Sequence, residues 1–387
     1  MELWTHAIIA FWCLWVFLFG LMVGSFLNVL IARLPYEKSI IWPSSRCFSC
    51  FQRVRFTDNI PIIGYLRLRG QCRHCGAKFS ARYLWIEVAT GLAFLALFVL
   101  DVLVNWQVNS TVATPDMLSI STAITSFPRW AMFLYHAFLM SCLIAAAAID
   151  AEHRIIPPMI PYVGLLVGVI GGTLMPWPWP NPAAAVNQLT ADPVWMLPEY
   201  WGKIPVGVQL WPFYGPTFAF APPGSYLLGF LNCLIGAFVG SMVVRIVKGL
   251  FELGFGREAM GLGDADLLMM AGAFLGWQIA VISLFVGSLT ALVIKIAMMI
   301  LVKPPAVPPS SPVGGEFTDT RELPFGPGLA LGVVVTWLAW PWIGVGTQYL
   351  FFDWIMITMC VIVMCVGILA AGLLLRRSEP AATDVKV

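Results

Sequence analysis

The chain has 387 residues, of which 59% are hydrophobic and 11% charged, with a mean hydropathy of +0.84. Because charged residues make up roughly 25% of a soluble domain, this composition excludes a soluble globular enzyme and indicates a polytopic membrane protein. The formal net charge of +2 decides nothing by itself; the positions of the charges do, and we expect no nucleic-acid partner.

Apolar segments close to the ~20 residues that a membrane-spanning helix needs recur along the whole chain. They lie at about 8–31, 84–104, 130–149, 159–175, 225–247, 264–281, 282–302, 325–345 and 354–375. The sequence therefore predicts an all-α polytopic membrane protein with about nine transmembrane helices. The first segment lacks the basic region and cleavage site of a signal peptide, so we expect it to be retained. Close helix packing, within the bundle or in a dimer, is predicted by Gly-x-x-x-Gly spacings at Gly20/Gly24, Gly164/Gly168, Gly168/Gly172 and Gly272/Gly276.

The distribution of lysine and arginine predicts the orientation in the membrane. Residues 32–83 carry ten basic and two acidic residues, whereas residues 105–128 carry no basic residue. We therefore expect residues 32–83 in the cytoplasm, the N-terminus outside and the C-terminus inside. The same orientation puts Asp150 and Asp264 at cytoplasmic helix ends.

Two stretches interrupt the helical pattern. Residues 176–224 hold eleven prolines and five tryptophans, which predicts an outer-face loop with tryptophans near the headgroups, or a chemically idle insertion. Residues 303–324 are rich in proline, serine and glycine and predict a flexible cytoplasmic linker. The predicted units are a first helix (1–31), a cytoplasmic module (32–83), helices (84–175), the outer loop (176–224), helices (225–302), the linker (303–324), and last helices with a tail (325–387).

Four of the nine cysteines form two Cys-x-x-Cys pairs, Cys47/Cys50 and Cys72/Cys75, separated by 21 residues. Four thiolates on two short turns match a tetrahedral structural zinc site, and a small loop domain needs such a staple. Disulfides, which a cytoplasmic location disfavours, and idle thiols are the alternatives; His74 is a weaker candidate ligand. A site closed by four cysteines leaves no open position, so the predicted metal is structural.

Two aspartates stand at the ends of apolar segments, in Ala145-Ala-Ala-Ala-Ile-Asp150 and Gly261-Leu-Gly-Asp264. An ionisable group in a membrane segment is costly, so both are candidate functional residues. If the two carboxylates meet, they share one proton: the ionised one activates water and the protonated one polarises a peptide carbonyl. The alternative is that each is solvated at its helix end.

The neighbours of the two aspartates raise further expectations. Gly261 and Gly263 are predicted to allow a positive φ and close approach of an extended substrate, or to form an ordinary turn. Asp266 follows Asp264 by two residues, so it should point away from it and be structural or at the lipid interface. Glu152 and His153 are expected to meet water or to bind substrate.

Several motifs, in order, resemble those of the type IV prepilin peptidases, the bifunctional leader peptidases and N-methyltransferases of the inner membrane. They are Gly24-Ser-Phe-Leu-Asn-Val-Leu-Ile-Ala-Arg-Leu-Pro35, the cysteine pairs around Asp58-Asn-Ile-Pro61, Ser80-Ala-Arg-Tyr83 with Glu87, Ile149-Asp150, Gly261-Leu-Gly-Asp264 and Pro324-Phe-Gly-Pro327. The resemblance implies that Asp150 and Asp264 are the catalytic aspartates. It also implies S-adenosylmethionine as methyl donor, with residues 32–83 as the methyltransferase part; no glycine-rich motif marks its site.

The implied partners are membrane lipid and prepilins or pseudopilins with a basic leader and a hydrophobic N-terminal helix. The chain departs from the family pattern at Asp266, where a lysine is frequent, at Phe48, where a proline is frequent, and at Pro157-Pro158, where Ile-Pro-Asp is frequent. Three alternatives stay open: a peptidase without methyl transfer, a zinc-stabilised scaffold without catalysis, and a transporter.

Overall fold

The computed structural model describes residues 2–42, 44–104, 122–176, 179, 220–221, 224–255, 261–301, 325–340, 342–343, 347 and 354–378. Within these residues the fold is helical, without a named strand. Its main α-helices are α1 (Glu2–Arg33), α2 (Ile63–Arg67), α3 (Arg82–Leu97), α4 (Phe127–His153), α5 (Met159–Leu174), α6 (Tyr226–Phe255), α7 (Leu262–Leu275), α8 (Trp277–Leu301), α9 (Phe325–Leu338) and α10 (Trp354–Ser378). A π-helical segment, Phe98–Val104, extends α3.

Each of the nine predicted apolar segments contains a helix. Five helices are long and apolar enough to cross a membrane, namely those of α1, α3 with its extension, α4, α6 and α8, and three shorter apolar helices lie in α5, α9 and α10. The predicted boundary at 281/282 is wrong: α7 ends after 14 residues, and Gly276 separates it from α8 with φ 86° and ψ 165°. Only glycine adopts that conformation readily, so the chain turns there. The predicted loops at 176–224 and 303–324 lie almost entirely outside the described residues.

The helices pack as neighbours in a single bundle. Helix α1 packs on α3, α7 lies against α5 and α6, and α9 packs between α8 and α4. Small residues let the first pair approach closely: a Cβ added at Gly20 would lie 2.9 Å from the Cα atom of Gly91, and one added at Gly24 would lie 2.8 Å from the Cα atom of Glu87. Without a hydrophobic drive inside lipid, such close backbone contact is a main source of helix association.

Glycines bring α6 and α7 even closer. A Cβ at Gly236 would overlap the carbonyl oxygen of Gly272, and a Cβ at Gly272 would overlap that of Gly236. On the opposite side, Gly164 and Gly168 of α5 leave room for Met270 and Phe274 of α7. The predicted close packing at these glycines is therefore confirmed, and it lies inside one chain.

A buried polar pair joins α4 to the π-helical segment. The Nδ1 atom of His136 lies 2.8 Å from the Oδ2 atom of Asp101, both side chains are buried, and the ring of Trp337 lies edge-on to the imidazole at 4.7 Å. A buried charge is costly unless it is paired, so this contact holds three elements together. Neither Asp101 nor His136 lies in a motif that identifies it from the sequence alone.

The close contact between α6 and α7 predicts that alanine destabilises the protein at a glycine in this contact but not at a glycine outside it. Gly272→Ala should lower the free energy of unfolding by about 1–3 kcal/mol, because the added methyl group meets backbone that cannot move aside. Thermal unfolding of the purified protein in detergent measures the change. The matched control is Gly249→Ala in α6, since a Cβ there meets nothing within 4 Å; an equal loss in both variants would contradict the packing argument.

Candidate active site and metal centre

Asp150 lies in the last turn of α4, where the helix stops. Arg154 caps the helix in the left-handed conformation at φ 55°, its N–H donating to the carbonyl oxygen of Asp150 at 2.9 Å. Pro157 and Pro158 follow and prevent the helix from continuing. This stop leaves the side chain of Asp150 at the helix end but only 7% of the residue exposed.

The N-terminus of α9 provides a hydrogen-bond partner for that carboxylate. The N–H of Gly326 donates to the Oδ2 atom of Asp150 at 2.9 Å. A Cβ added at Gly326 would lie 2.6 Å from the same oxygen, so only glycine brings the helix backbone this close. The free N–H groups and the dipole at a helix N-terminus favour a negative charge.

Asp264 lies in the first turn of α7, and it is also only 7% exposed. It lies close enough to Asp150 for the two carboxyl groups to influence each other electrostatically, and α7 contacts α4. A Cβ at Gly263 would lie 3.0 Å from the Cβ atom of Ile156, in the segment that follows α4. The structure therefore brings together, in one buried place, the two aspartates that lie 114 residues apart in the sequence.

The prediction of a positive φ at the two glycines before Asp264 is wrong. Gly261 caps α7 in an extended conformation at φ −72° and ψ 151°, and Gly263 is helical; neither has a positive φ. Gly263 is required for space beside Ile156 rather than for backbone freedom. Among the residues that the structure describes, the nearest atom to a Cβ added at Gly261 is 3.9 Å away, so none of them requires glycine there.

Asp266 points away from the aspartate pair, as predicted. Its Oδ1 atom lies 3.4 Å from the Nη2 atom of Arg245 in α6. This ion pair crosses the same α6–α7 contact that the glycines form. Asp266 is therefore a structural residue, and its partner Arg245 is not evident from the local sequence.

Glu152 is exposed and His153 partly exposed, as expected of residues that meet water, but each also has a protein partner. Glu152 forms an ion pair with Arg82 at the start of α3. The ring of His153 lies edge-on to that of Tyr36 at 5.5 Å. Both contacts fix the end of α4 that carries Asp150 to the base of the cysteine module.

The four cysteines converge on one point. The Sγ atoms of Cys47, Cys50, Cys72 and Cys75 all lie within 4.8 Å of one another, and the pairs Cys47/Cys75 and Cys50/Cys72 are 3.8 and 3.9 Å apart. Four sulfurs at about 2.3 Å from a tetrahedral zinc ion stand about 3.8 Å apart, so the spacing fits this metal. None of the cysteines forms a disulfide.

The two cysteine turns have the same backbone construction. In each, an N–H donates to the sulfur of the first cysteine at 3.4 Å: that of Ser49 to Cys47 and that of His74 to Cys72. Backbone N–H groups of Cys75 and His74 lower the pKa of the Cys72 thiol to about 7. Such donors stabilise the thiolates that a metal needs, and His74 contributes its backbone rather than a ligand atom.

Asp58 holds the second cysteine turn against the rest of the module. It accepts hydrogen bonds from Arg67 of α2 and from Arg73, which lies between Cys72 and Cys75, at 2.5 and 2.6 Å. The Arg73 hydrogen bond, together with that of Arg67, lowers the pKa of Asp58 to about 2. Asp58 therefore remains ionised, and the ion pairs remain formed, throughout the physiological pH range.

Comparison with known proteins agrees with both parts of the site. Residues 18–100 match the bacterial peptidase A24 N-terminal domain, and residues 204–296 match the type IV leader peptidase family. The first range contains the four cysteines and the second contains Asp264, while Asp150 lies between the two. No solved structure matches the chain.

Curated relatives are similar over most of the chain. A prepilin leader peptidase/N-methyltransferase of Myxococcus xanthus is 30% identical over 286 residues, which are 74% of this chain and 62% of that protein. Proteins of the same name from Aeromonas hydrophila and Pseudomonas putida are 28% and 25% identical, covering 84% and 88% of this chain and 89% and 95% of their own lengths. The chain thus spans less than two thirds of the Myxococcus relative and nearly all of the other two. With its two matched domains and these relatives, the chain belongs to the type IV leader peptidase family.

Proposed function

We propose that this protein is a membrane aspartyl endopeptidase that removes the leader peptide from type IV prepilins or pseudopilins and then N-methylates the new N-terminus. The observation that carries the peptidase is the buried pair Asp150–Asp264 at two helix ends. The relatives' shared name supports both activities. A transporter is disfavoured, because the described helices pair these carboxylates at one end of the bundle.

Cleavage follows from the chemistry of the aspartate pair. Two carboxylates in one buried place cannot both ionise cheaply, so they share one proton. The Gly326 N–H is a suitable partner for an ionised carboxylate, so Asp150 takes a proton from water. Asp264 donates its proton to the scissile carbonyl oxygen while the hydroxide equivalent bonds to the carbonyl carbon, which gives a tetrahedral gem-diol. Asp150 then passes its proton to the leaving nitrogen as the C–N bond breaks, and Asp264 recovers a proton from a gem-diol hydroxyl, so the pair ends in its starting state. The titration belongs to the pair as a whole.

The orientation of the bundle follows from its positive charge. The module with its excess of arginine lies in the cytoplasm, the N-terminus lies outside and the C-terminus inside an inner membrane. The contacts of Glu152 and His153 with residues of the module's base support a common side for the module and the aspartate pair. The substrate's hydrophobic helix then lies in the membrane, and its basic leader lies in the cytoplasm.

The four cysteines hold a structural zinc ion, and residues 32–83 form the methyltransferase part. S-adenosylmethionine supplies a methyl group that the neutral N-terminal amine attacks: a C–N bond forms, a C–S bond breaks with its electrons left on sulfur, and the amine loses a proton. The α-amino group of a peptide has a pKa near 7.7–8.0 and is partly neutral at cytoplasmic pH. The metal has no open position and takes no part in this step.

Replacing either aspartate tests the peptidase. Asp150→Asn and Asp264→Asn should each lower the rate of leader removal by about 10³-fold or more, because an amide cannot exchange the shared proton. Gel electrophoresis of a prepilin substrate with the purified variants in detergent measures the rate. Asp266→Asn is the matched control and should keep most activity. Processing by Asp150→Asn at the parent rate would refute the pair.

The contact between α9 and Asp150 gives a second prediction. Gly326→Ala should slow leader removal by about 10- to 100-fold while the protein still unfolds near the parent temperature, because the methyl group displaces the carboxylate by a fraction of an ångström. Gly261→Ala, on the other side of the aspartate pair, has space for its methyl group and should be nearly neutral. Equal rates for both variants would show that the Gly326 contact does not position Asp150.

The metal gives a third prediction. Elemental analysis should find about one zinc per chain, and none should remain in the Cys72→Ser/Cys75→Ser variant. Loss of two thiolates unfolds the module, whereas the helices satisfy their own backbone hydrogen bonds. Mass spectrometry of the processed substrate should therefore show methylation reduced much further than cleavage. Equal loss of both would mean that the module supports the peptidase itself; unmethylated product from the parent enzyme would mean a peptidase alone.

A further inference from the structure

A cavity of about 430 Å³ lies where the end of α1, the cysteine module and the start of α3 meet. Its wall combines aromatic rings, basic side chains, a buried carboxylate and a buried amide. Pockets of this size and mixed lining are typical of small-molecule sites. Neither the aspartate pair nor the four cysteines line it, so peptide cleavage and metal binding leave it unexplained.

One wall of the cavity carries an unsatisfied acceptor. Asn28 of α1 is 4% exposed, and its Nδ2 atom donates to the carbonyl oxygen of Tyr83 at 3.0 Å. Its Oδ1 atom is buried and accepts no hydrogen bond from the part of the chain that the structure describes. Buried acceptors without a donor are rare because they lose their hydrogen bonds to water. The orientation of Asn28 is fixed by its bond to Tyr83, so the oxygen is held ready for a donor from outside the chain.

A second wall carries Glu87 of α3, which is 8% exposed. Its Oε2 atom accepts the N–H of Ile62 at 2.8 Å. Ile62 adopts φ 60° and ψ −56°, and the N–H of Ile63 donates to the carbonyl oxygen of Pro61 at 2.6 Å. This is a γ-turn with a positive φ at a β-branched residue, a strained conformation that persists only where its surroundings hold it and that is concentrated at functional sites. Glu87 thus fixes the turn that closes the cavity.

We infer that this cavity is the site of the methyl donor, with Asn28 and Glu87 as its polar contacts; the inference rests on the proposed methyl transfer. S-adenosylmethionine carries a sulfonium and an ammonium group, which suit a carboxylate and an amide oxygen. Its adenine ring suits the side chains of Tyr65 and Tyr83, and its amine groups supply the donor that Asn28 lacks.

Basic residues in the cavity lining can also bind the negatively charged group of S-adenosylmethionine. Its carboxylate suits Lys38 or Arg46, which line the same cavity. A purely anionic ligand would be opposed by Glu87, and a purely cationic one by these two basic residues. A small molecule that carries positive and negative charges and an aromatic ring matches the whole lining of the cavity.

The cavity also lies at the appropriate end of the bundle. Arg82, one residue before the cavity-lining Tyr83, forms the ion pair with Glu152, two residues after Asp150. The end of α1 makes the ring contact between Tyr36 and His153. An N-terminus released at the aspartate pair is therefore presented on the side where the donor binds.

Equilibrium binding of radiolabelled S-adenosylmethionine to the full-length protein in detergent tests the site. The parent should bind about one molecule per chain. Asn28→Leu and Glu87→Gln should each weaken binding about 10-fold or more, with zinc content unchanged and leader removal within about 2-fold. The glutamine keeps an acceptor for the Ile62 N–H, so the turn is retained. Asn232→Leu is the matched control, since its Oδ1 is also without a partner among the described residues but lines a different pocket.

The outcomes separate this inference from the proposed function. Parent binding that neither variant weakens would overturn the cavity as the site while leaving methyl transfer in place. No binding by a parent that still cleaves would overturn both the site and the methyltransferase. If a variant loses its zinc, ultraviolet cross-linking of S-adenosylmethionine to the parent chain replaces the binding comparison. Attachment to peptides that contain Tyr65 or Tyr83 supports the site. Attachment only elsewhere overturns it.

Discussion

The cost of holding two carboxylates inside an apolar helix bundle is the constraint on which this structure depends. Each charge removed from water must be paired, hydrogen-bonded or neutralised by a proton. The bundle meets this requirement for Asp150 with the N-terminus of α9, whose Gly326 N–H donates to the carboxylate. Asp264 is equally buried and lies within electrostatic range of Asp150. In the proposed function, sharing one proton between the two acids lowers this cost and leaves one carboxylate ionised to activate water.

Close backbone contact is what places these helix ends together. Helix α7 carries Asp264 and is held on α6 by the Gly236–Gly272 contact and by the Arg245–Asp266 ion pair. Lipid offers no hydrophobic drive for helix association, so close contact at these small residues is the main attachment of α7 to α6, and the partly exposed ion pair adds less. The departure from the family pattern at Asp266 is thus explained by packing, because its partner is an arginine on the neighbouring helix.

Two side-chain contacts join the base of the cysteine module to the helix end that carries Asp150. Arg82 and Tyr36 at the base of the module contact Glu152 and His153 beyond Asp150. In the proposed function, cleavage and methylation act in succession on the same new N-terminus, and these contacts would keep the path between the two sites short. The strained turn at Ile62 lies in the module and is joined to α3 by its hydrogen bond to Glu87.

Local sequence patterns alone predict the helices, the metal site and the two candidate aspartates. Apolar segments near 20 residues predict spanning helices because lipid demands internal backbone hydrogen bonds, and two Cys-x-x-Cys turns predict a tetrahedral metal site because thiolate geometry is fixed over four residues. Asp150 and Asp264 are identifiable as candidates, since a carboxylate beside an apolar segment is costly. The partners of these residues were decided by tertiary structure alone. The N–H of Gly326 lies 176 residues from Asp150, the burial of Asn28 depends on α3, and His136 meets Asp101 only after α3 and α4 pack. Periodicity and spacing show which faces of a helix are apolar. The pairing of polar groups depends instead on how the helices cross. Those crossings are set by contacts such as Gly236–Gly272, which no local pattern encodes.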